Sequence, residues 1–298
     1  MTVAAYPLVS IGMPVFNRPD SLSVAFNCIV SQTYPNLEII VSDNCSPDPR
    51  VEDIVREFQQ RYPQIRYYRQ PENKGAAQNF LFVLNQAKGK YFMWAADDDL
   101  FEIFYIEKLV DELEKVGPSF AAANFEAQYM DNNSIRFDFF SEGTPFYRYQ
   151  SNIPIERIRH ILTHNYGNLI YSLYRKEILD QINLIFAQNE IPFLLQIAEK
   201  GNWRVLPEIG FIKKTSLPTY RQARWEMTGG FVPHSSRISL RSIKELTRYH
   251  REALDNINSA IAQVNINEKE RCSLLSLARN LIWKHWLWLI IGYKPKPF

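Results

Sequence analysis

Tyr91-Phe92-Met93-Trp94-Ala95-Ala96-Asp97-Asp98-Asp99 takes the chain from an apolar run straight into three consecutive carboxylates. The run has the length and aromatic content of a buried strand, which puts the charges at its carboxyl end. Like charges a few ångströms apart raise each other's pKa, and a hard divalent cation relieves the repulsion by taking carboxylate oxygens as ligands. A bound metal is one reading of this placement. The other is a solvated acidic turn that caps the next helix, where Asp is common.

Working outward, strand and helix patterns alternate over residues 1–117, which predicts a parallel sheet with helices on its faces. Val9–Phe16 reads as the first strand. Asp20 offers an N-cap for a helix whose apolar face is Leu22, Ala25, Ile29 and Val30 and which should end before Pro35. Leu37–Ser42 is a short buried strand, and Val51, Ile54, Val55 and Phe58 then repeat at helical spacing. Ile65–Arg69 is a third strand. Gly75 opens another helix, with Phe80, Val83, Leu84 and Ala87 on its apolar face and Gly89 as its stop. Sheets of this kind bind ligands outside the carboxyl ends of their strands, where helix N-termini point N–H groups outward. Three polar loops fall there: Asn17-Arg18-Pro19, the turn Asp43–Asp48, and the carboxylate triplet. Met13-Pro14-Val15-Phe16-Asn17-Arg18-Pro19 is no GxGxxG, so a nicotinamide cofactor is disfavoured, and there is no Walker A loop.

The texture changes after Ser119. Ser119–Met130 and Ile135–Phe140 flank Asp131-Asn132-Asn133-Ser134, a hairpin signal. Pro154–Thr163 looks helical, Leu169–Tyr174 extended, and Asn189–Lys200 helical with Gly201 as C-cap. Trp203–Thr215 reads as one or two strands, and the remainder as mainly helical. These shifts divide the chain into residues 1–117, 118–235 and a helical extension, 236–298.

With 298 residues, 46% of them hydrophobic, the chain can bury a substantial core. A formal charge of +2 gives no chain-wide field for nucleic acid. Cys28, Cys45 and Cys272 are odd in number and lack CxxC spacing, which fits a reducing compartment and excludes a zinc module. His160, His164, His234, His250 and His285 form no metal spacing either. No basic leader opens the chain, so the cytoplasm is the expected location. Ser273–Ile291 is apolar and rich in Trp, but Arg279, Lys284 and His285 interrupt it. Each cation at mid-bilayer would cost about 2.5–3.5 kcal/mol, so no span is expected. This tail should pack on the domain or in a homodimer; the alternative is peripheral contact of residues 273–296 with the inner face of a membrane.

Four segments, in order, resemble the inverting family-2 glycosyltransferases. Val9-Ser-Ile-Gly-Met-Pro-Val-Phe-Asn-Arg18 looks like the family's first strand and turn; Ile39-Ile-Val-Ser-Asp43-Asn-Cys-Ser46 looks like its strand ending in a base-reading Asp. Asn73-Lys-Gly75 with Asn79 resembles its Asn-x-Gly segment, and Asp97-Asp98-Asp99 falls at its DxD motif, with Ala96 at the first acidic position in one alignment. The resemblance implies an α/β fold of GT-A type: a Rossmann-like sandwich with a mostly parallel central sheet, helices on both faces and a helical C-terminal extension. It also implies transfer of a sugar from a nucleotide-diphospho sugar donor to a hydroxyl acceptor, assisted by Mn2+ or Mg2+. By the same resemblance Pro14, Phe16, Asn17, Arg18, Asp43, Asn73, Gly75, Asn79, Asp97 and Asp98 face the donor, and Asp98 and Asp99 lie nearest the metal. Asn189-Glu190 matches the start of the family's catalytic helix, which makes Glu190 the general base; the bland reading is a favourable charge at a helix start. Tyr220-Arg-Gln-Ala-Arg-Trp225 sits where the family resembled carries a loop that closes over the diphosphate, which would let Arg221 or Arg224 pair with it; the bland reading is an ordinary basic surface loop. Two other functions share the sheet: a sugar-phosphate nucleotidyltransferase, which normally needs a glycine-rich loop after the first strand, and a non-catalytic sugar-binding or partner-binding protein.

Overall fold

The computed structural model describes residues 6–115, 117, 120–129, 134–136, 150–163, 167–182, 190–215 and 240–291. Contacts divide the chain into two units, each drawn from three separate segments. The first comprises residues 1–150, 168–182 and 201–217, the second residues 151–167, 183–200 and 218–298.

The first unit is built on a nine-stranded sheet. Strands β1 (Val9–Val15), β2 (Leu37–Asp43), β3 (Ile65–Arg69) and β4 (Tyr91–Trp94) pair in parallel in the order β3-β2-β1-β4. Helices α1 (Pro19–Val30), α2 (Arg50–Arg61) and α3 (Ala76–Asn85) connect them, with helices on both faces of the sheet. The rest of the sheet is mixed. Past β5 (Leu100–Phe101) and α4 (Tyr105–Glu114) come β6 (Phe120–Tyr129) and the short β7 (Ser134–Arg136), antiparallel as the hairpin signal predicts. Next, β8 (Leu173–Arg175) runs antiparallel between β4 and β6, leading into the single-turn helix α6 (Lys176–Leu179). Finally β9 (Trp203–Thr215) lies parallel to β6 and antiparallel to β5.

Strand β1 is buried along its whole length, with Val9, Ile11, Met13 and Val15 at 0% exposure. A strand covered on both faces and both edges has no solvated side, which is why it reads as a continuous apolar run rather than an alternation. Gly89 sits at the mouth of β4, where an added Cβ would lie 2.7 Å from the backbone oxygens of Leu8 and Tyr91. That crowding, rather than a helix stop, accounts for the glycine: α3 has already ended at Asn85.

Two other expectations need correction. Helix α1 begins at Pro19, so Asp20 lies inside its first turn, and Arg18 holds the N-cap position. Proline suits the first helical position because its locked φ is already helical and the N–H it lacks would have no partner there. Asp20 instead pairs with Arg50 at 2.9 Å, and Phe26 joins the buried face while Val30 is half-buried. Within Leu169–Tyr174, a 3₁₀ turn spans Gly167–Tyr171 and only the last two residues enter β8. An unbroken apolar run carries no period to tell these states apart.

The second unit is helical: α5 (Pro154–Thr163), α7 (Ile191–Lys200), α8 (Leu240–Gln263) and α9 (Glu268–Ile291). Helix α7 packs against α5 and α8 and is buried without interruption from Pro192 to Ala198. Arginines close two helix ends in this unit. Arg157 donates to the carbonyl of Ala198 at 2.8 Å, and Arg271 donates to those of Ile261 and Ala262 at 2.9 and 2.8 Å. Both supply donors to carbonyls that the helices leave without intrahelical partners. Among the described residues, no helix is long and apolar enough to cross a membrane.

Candidate functional site

The carboxyl ends of β2, β1 and β4 lie side by side, and the loops leaving them are tied together by side chains. Asn79, 4% exposed on α3, accepts from the Ser42 hydroxyl at 2.6 Å and donates to the carbonyls of Ser42 and Val15 at 2.9 and 3.4 Å. It pins the ends of β1 and β2 to one helix. Asn44 donates to Asn73 at 2.8 Å and accepts from the Lys74 N–H at 3.0 Å; Asn73 in turn accepts from the Gly75 N–H at 2.9 Å. Gly75 has φ of 83°, a conformation that costs other residues about 1–2 kcal/mol and lets the chain turn sharply into α3. Asn17 and Cys45 also have positive φ, 54° and 61°, and the Asn17 N–H meets the Ser46 hydroxyl at 2.8 Å.

Asp43 ends β2 with no exposed side-chain surface. Its Oδ1 accepts from the Ser46 N–H at 2.8 Å, and Oδ2 accepts from Tyr67 at 3.2 Å and Arg69 at 2.7 Å. Three acceptor positions are thus committed to shaping the loop. Burial, and then the charge of Asp43, push the Tyr67 phenol up to about 12. Pro14 is buried in β1 opposite Ser42, whereas Phe16 stands 41% exposed just past the strand.

Asp97, Asp98 and Asp99 have three different environments. Asp97 has 6% of its side chain exposed and accepts from the Phe16 N–H at 3.3 Å and Arg18 Nη1 at 3.0 Å. Burial raises its pKa; Arg18 pulls it down and Asp98 pushes it up. Asp98 has 32% exposed and lies 2.7 Å from the same Arg18 Nη1. Asp99 is fully covered, with Lys213 Nζ on β9 at 3.4 Å. The Ser21 hydroxyl, in the first turn of α1, holds the Asp97 carbonyl at 2.9 Å. Burial works against the charge on Arg18, but Asp97 and Asp98 outweigh it and raise its pKa.

Sequence reasoning missed Lys213 and Ser21. A lysine following the apolar Ile209-Gly210-Phe211-Ile212 was the one available signal for Lys213, since nothing local connects it to Asp99. Glu190 directly precedes α7, and its carbonyl accepts from the Leu194 N–H at 2.9 Å, so it holds the N-cap place rather than the first turn. Arg221 and Arg224 lie outside the described residues. Among the described residues, no three His, Cys, Asp or Glu side chains converge to hold a metal. Magnesium-type sites commonly take only one or two protein carboxylates and draw the remaining oxygens from substrate phosphates and water. On those terms the triplet's hard oxygen donors fit, with Asp98 the most accessible.

This fold, with polar loops at the carboxyl ends of parallel strands, is an α/β architecture of the GT-A kind. The chain belongs to glycosyl transferase family 2, whose model matches residues 10–182. An "Uncharacterized glycosyltransferase RT0329" of Rickettsia typhi is 29% identical over 172 residues, 58% of this chain and 52% of that protein. A "Putative teichuronic acid biosynthesis glycosyltransferase TuaG" of Bacillus subtilis is 26% identical over 129 residues, 43% of this chain and 51% of that one. The chain thus spans about half the length of these two relatives, and less of several others. S. aureus TarS 1-349 in complex with UDP-GlcNAc superposes with a TM-score of 0.65 at 14% identity, over 92% of this chain and 72% of that one. Mannosyltransferase PcManGT from Pyrobaculum calidifontis, in complex with GDP-Man and Mn2+, gives 0.56 at 14% identity, over 99% and 78%. At these identities the structural likeness speaks for the fold.

Proposed function

We propose that this chain is a metal-dependent inverting glycosyltransferase that moves a sugar from a nucleotide-diphosphate donor to an acceptor hydroxyl. The observation that carries the reading is the grouping of exposed Phe16, Arg18 and the carboxylates Asp97–Asp99 at the ends of β1 and β4 in a family-2 chain. In this reading the nucleotide base lies between Phe16 and the loop braced by Asp43, Asn44 and Asn73. Asp97 fixes the turn after β1 through the Phe16 N–H. A magnesium or manganese ion held by Asp98, with Asp99 beside it, would supply positive charge to the departing diphosphate. Arg221 and Arg224 are assigned to the same diphosphate. Glu190 takes the proton of the acceptor hydroxyl as its oxygen bonds to the anomeric carbon and the bond from that carbon to the diphosphate breaks. One displacement from the opposite side inverts the configuration.

The ligands named with the structural neighbours, UDP-GlcNAc and GDP-Man, support a nucleotide-sugar donor, and the teichuronic acid relative supports a role in polysaccharide biosynthesis. The test is a thermal shift of the full chain against a panel of nucleoside diphosphates, with and without Mn2+. A metal-dependent rise for one base is expected, because a ligand that binds only the folded state stabilises it by RT ln(1 + [L]/Kd). No shift with any base and any divalent metal overturns the reading. Binding without release of nucleoside diphosphate in the presence of acceptors would point to the non-catalytic alternative.

A further inference from the structure

Resting on that reading, we infer that Arg18 is an exchangeable cation: in the donor-free protein it occupies the metal's place on Asp98, and it yields Asp98 to the metal when the donor's diphosphate arrives. The three carboxylates differ in how their charge is balanced. Asp99 is fully covered and its cation, Lys213, projects from β9 within the sheet, so that pair belongs to the fold. Asp97 is nearly buried and also held by a backbone N–H, so it keeps its place whichever cation is nearby. Asp98 alone is appreciably exposed, at 32%, and its partner is Arg18, whose own side chain is 56% exposed.

The attachment of Arg18 is also the kind that can be exchanged. A single nitrogen, Nη1, serves both Asp97 and Asp98, at 3.0 and 2.7 Å. Among the described residues the rest of the guanidinium makes no fork to a carboxylate, whereas a diphosphate offers the paired oxygens that a guanidinium binds best. A divalent ion and a guanidinium cannot both sit against one carboxylate oxygen without strong repulsion. Metal alone must therefore compete with Arg18, while metal bound together with a diphosphate gives Arg18 a better partner. The result is coupling between metal and nucleotide, and such coupling is reciprocal.

The experiment is a Mn2+ titration of the full chain followed by the electron paramagnetic resonance signal of free Mn2+, without nucleotide and with UDP or GDP. It compares wild type with Arg18→Gln and Arg18→Lys. Without nucleotide, Arg18→Gln should bind Mn2+ at least about tenfold more tightly than wild type, within the usual range of coupling. With UDP or GDP, wild type should gain far more Mn2+ affinity than the variant does. Arg18→Lys keeps a charge beside Asp97 and should fall between the two; it also carries the test if Arg18→Gln loses its melting transition. Equal Mn2+ affinities for all three proteins without nucleotide overturn the exchange and leave the proposed function standing. Failure of every protein to bind Mn2+, even with UDP and GDP, overturns the exchange, and the proposed function falls with it only if the full panel of nucleoside diphosphates and divalent metals also gives no thermal shift.

Discussion

Glu190 and Asp43 are both carboxylates at the boundary of an element, and their surroundings give them different work. Asp43 has no exposed surface and three committed acceptor positions, so what it does is shape the loop after β2. Glu190 is half-buried at the N-terminal boundary of α7, where a negative charge is favoured by about 0.3–1 kcal/mol and therefore easy to keep. Glu190→Gln should lower turnover by about 10²–10⁴-fold while leaving the melting temperature close to wild type. Near-normal turnover in a folded Glu190→Gln protein removes this residue from the mechanism. Tyr67 provides a test by pH. Its folded pKa, about 12, lies above the 10.0 of a free phenol, so the folded chain holds this proton more tightly than the unfolded one. The associated stability is complete below pH 10 and is lost as pH rises towards 12. Alkaline melts of Tyr67→Phe should show a shallower loss over that window, with Tyr34, also raised to about 12, accounting for part of what remains. Asp43 and the triplet could be singled out in the sequence because each lies at a strand end, and Asn73 through its resemblance to the family's Asn-x-Gly segment. The pairing of Asp99 with Lys213 could not, because it links residues 114 apart that only strand order brings together.

At the scale of elements, the parallel strands were legible because each is a short apolar run bounded by polar loops, and their observed limits differ from the reading by a residue or two. What stayed hidden was the reason for particular residues at element ends. Gly89 looks like a helix stop in sequence, yet it lies where α3 is already over and where three oxygens stand 2.7 Å from the position a Cβ would take. Gly89→Ala should therefore destabilise by about 1–3 kcal/mol in urea unfolding, because two of those oxygens are backbone and cannot swing aside. A change below about 0.5 kcal/mol would mean that the β1 and β4 ends tolerate separation, since surface substitutions commonly stay within that range. Likewise, Pro19 displaces Asp20 from the capping role, a local rule that the acidic residue masked.

For the molecule as a whole, the second unit depends on helices far apart in sequence. Phe193, Leu194, Leu195, Ile197 and Ala198 of α7 have no exposed surface, and α8 covers them with Ile257, Ala260 and Ile261 among its buried residues. A chain ending at residue 239 should lose this cover and become insoluble or lose its cooperative melt, whereas one ending at Arg271 keeps α8 and should remain folded with a lowered melting temperature. Equal behaviour of the two truncations would show that α8 contributes little to the unit. The helical extension was readable from its pattern. Its service to α7 was not, because hydrophobic periodicity identifies a face and not the partner that covers it.

Strand order also bears on the birth of the protein. On the ribosome, β1 to β4 can assemble soon after they emerge, but the outer edge of β4 is covered by β8, which cannot pair until Leu173–Arg175 has been made. At translation speeds of about 5–20 residues per second that interval lasts on the order of ten seconds. For its duration the apolar edge of the nascent sheet is open to pairing with other chains, so a slowly translated copy of this protein should lean on chaperones more than a smaller parallel sheet does.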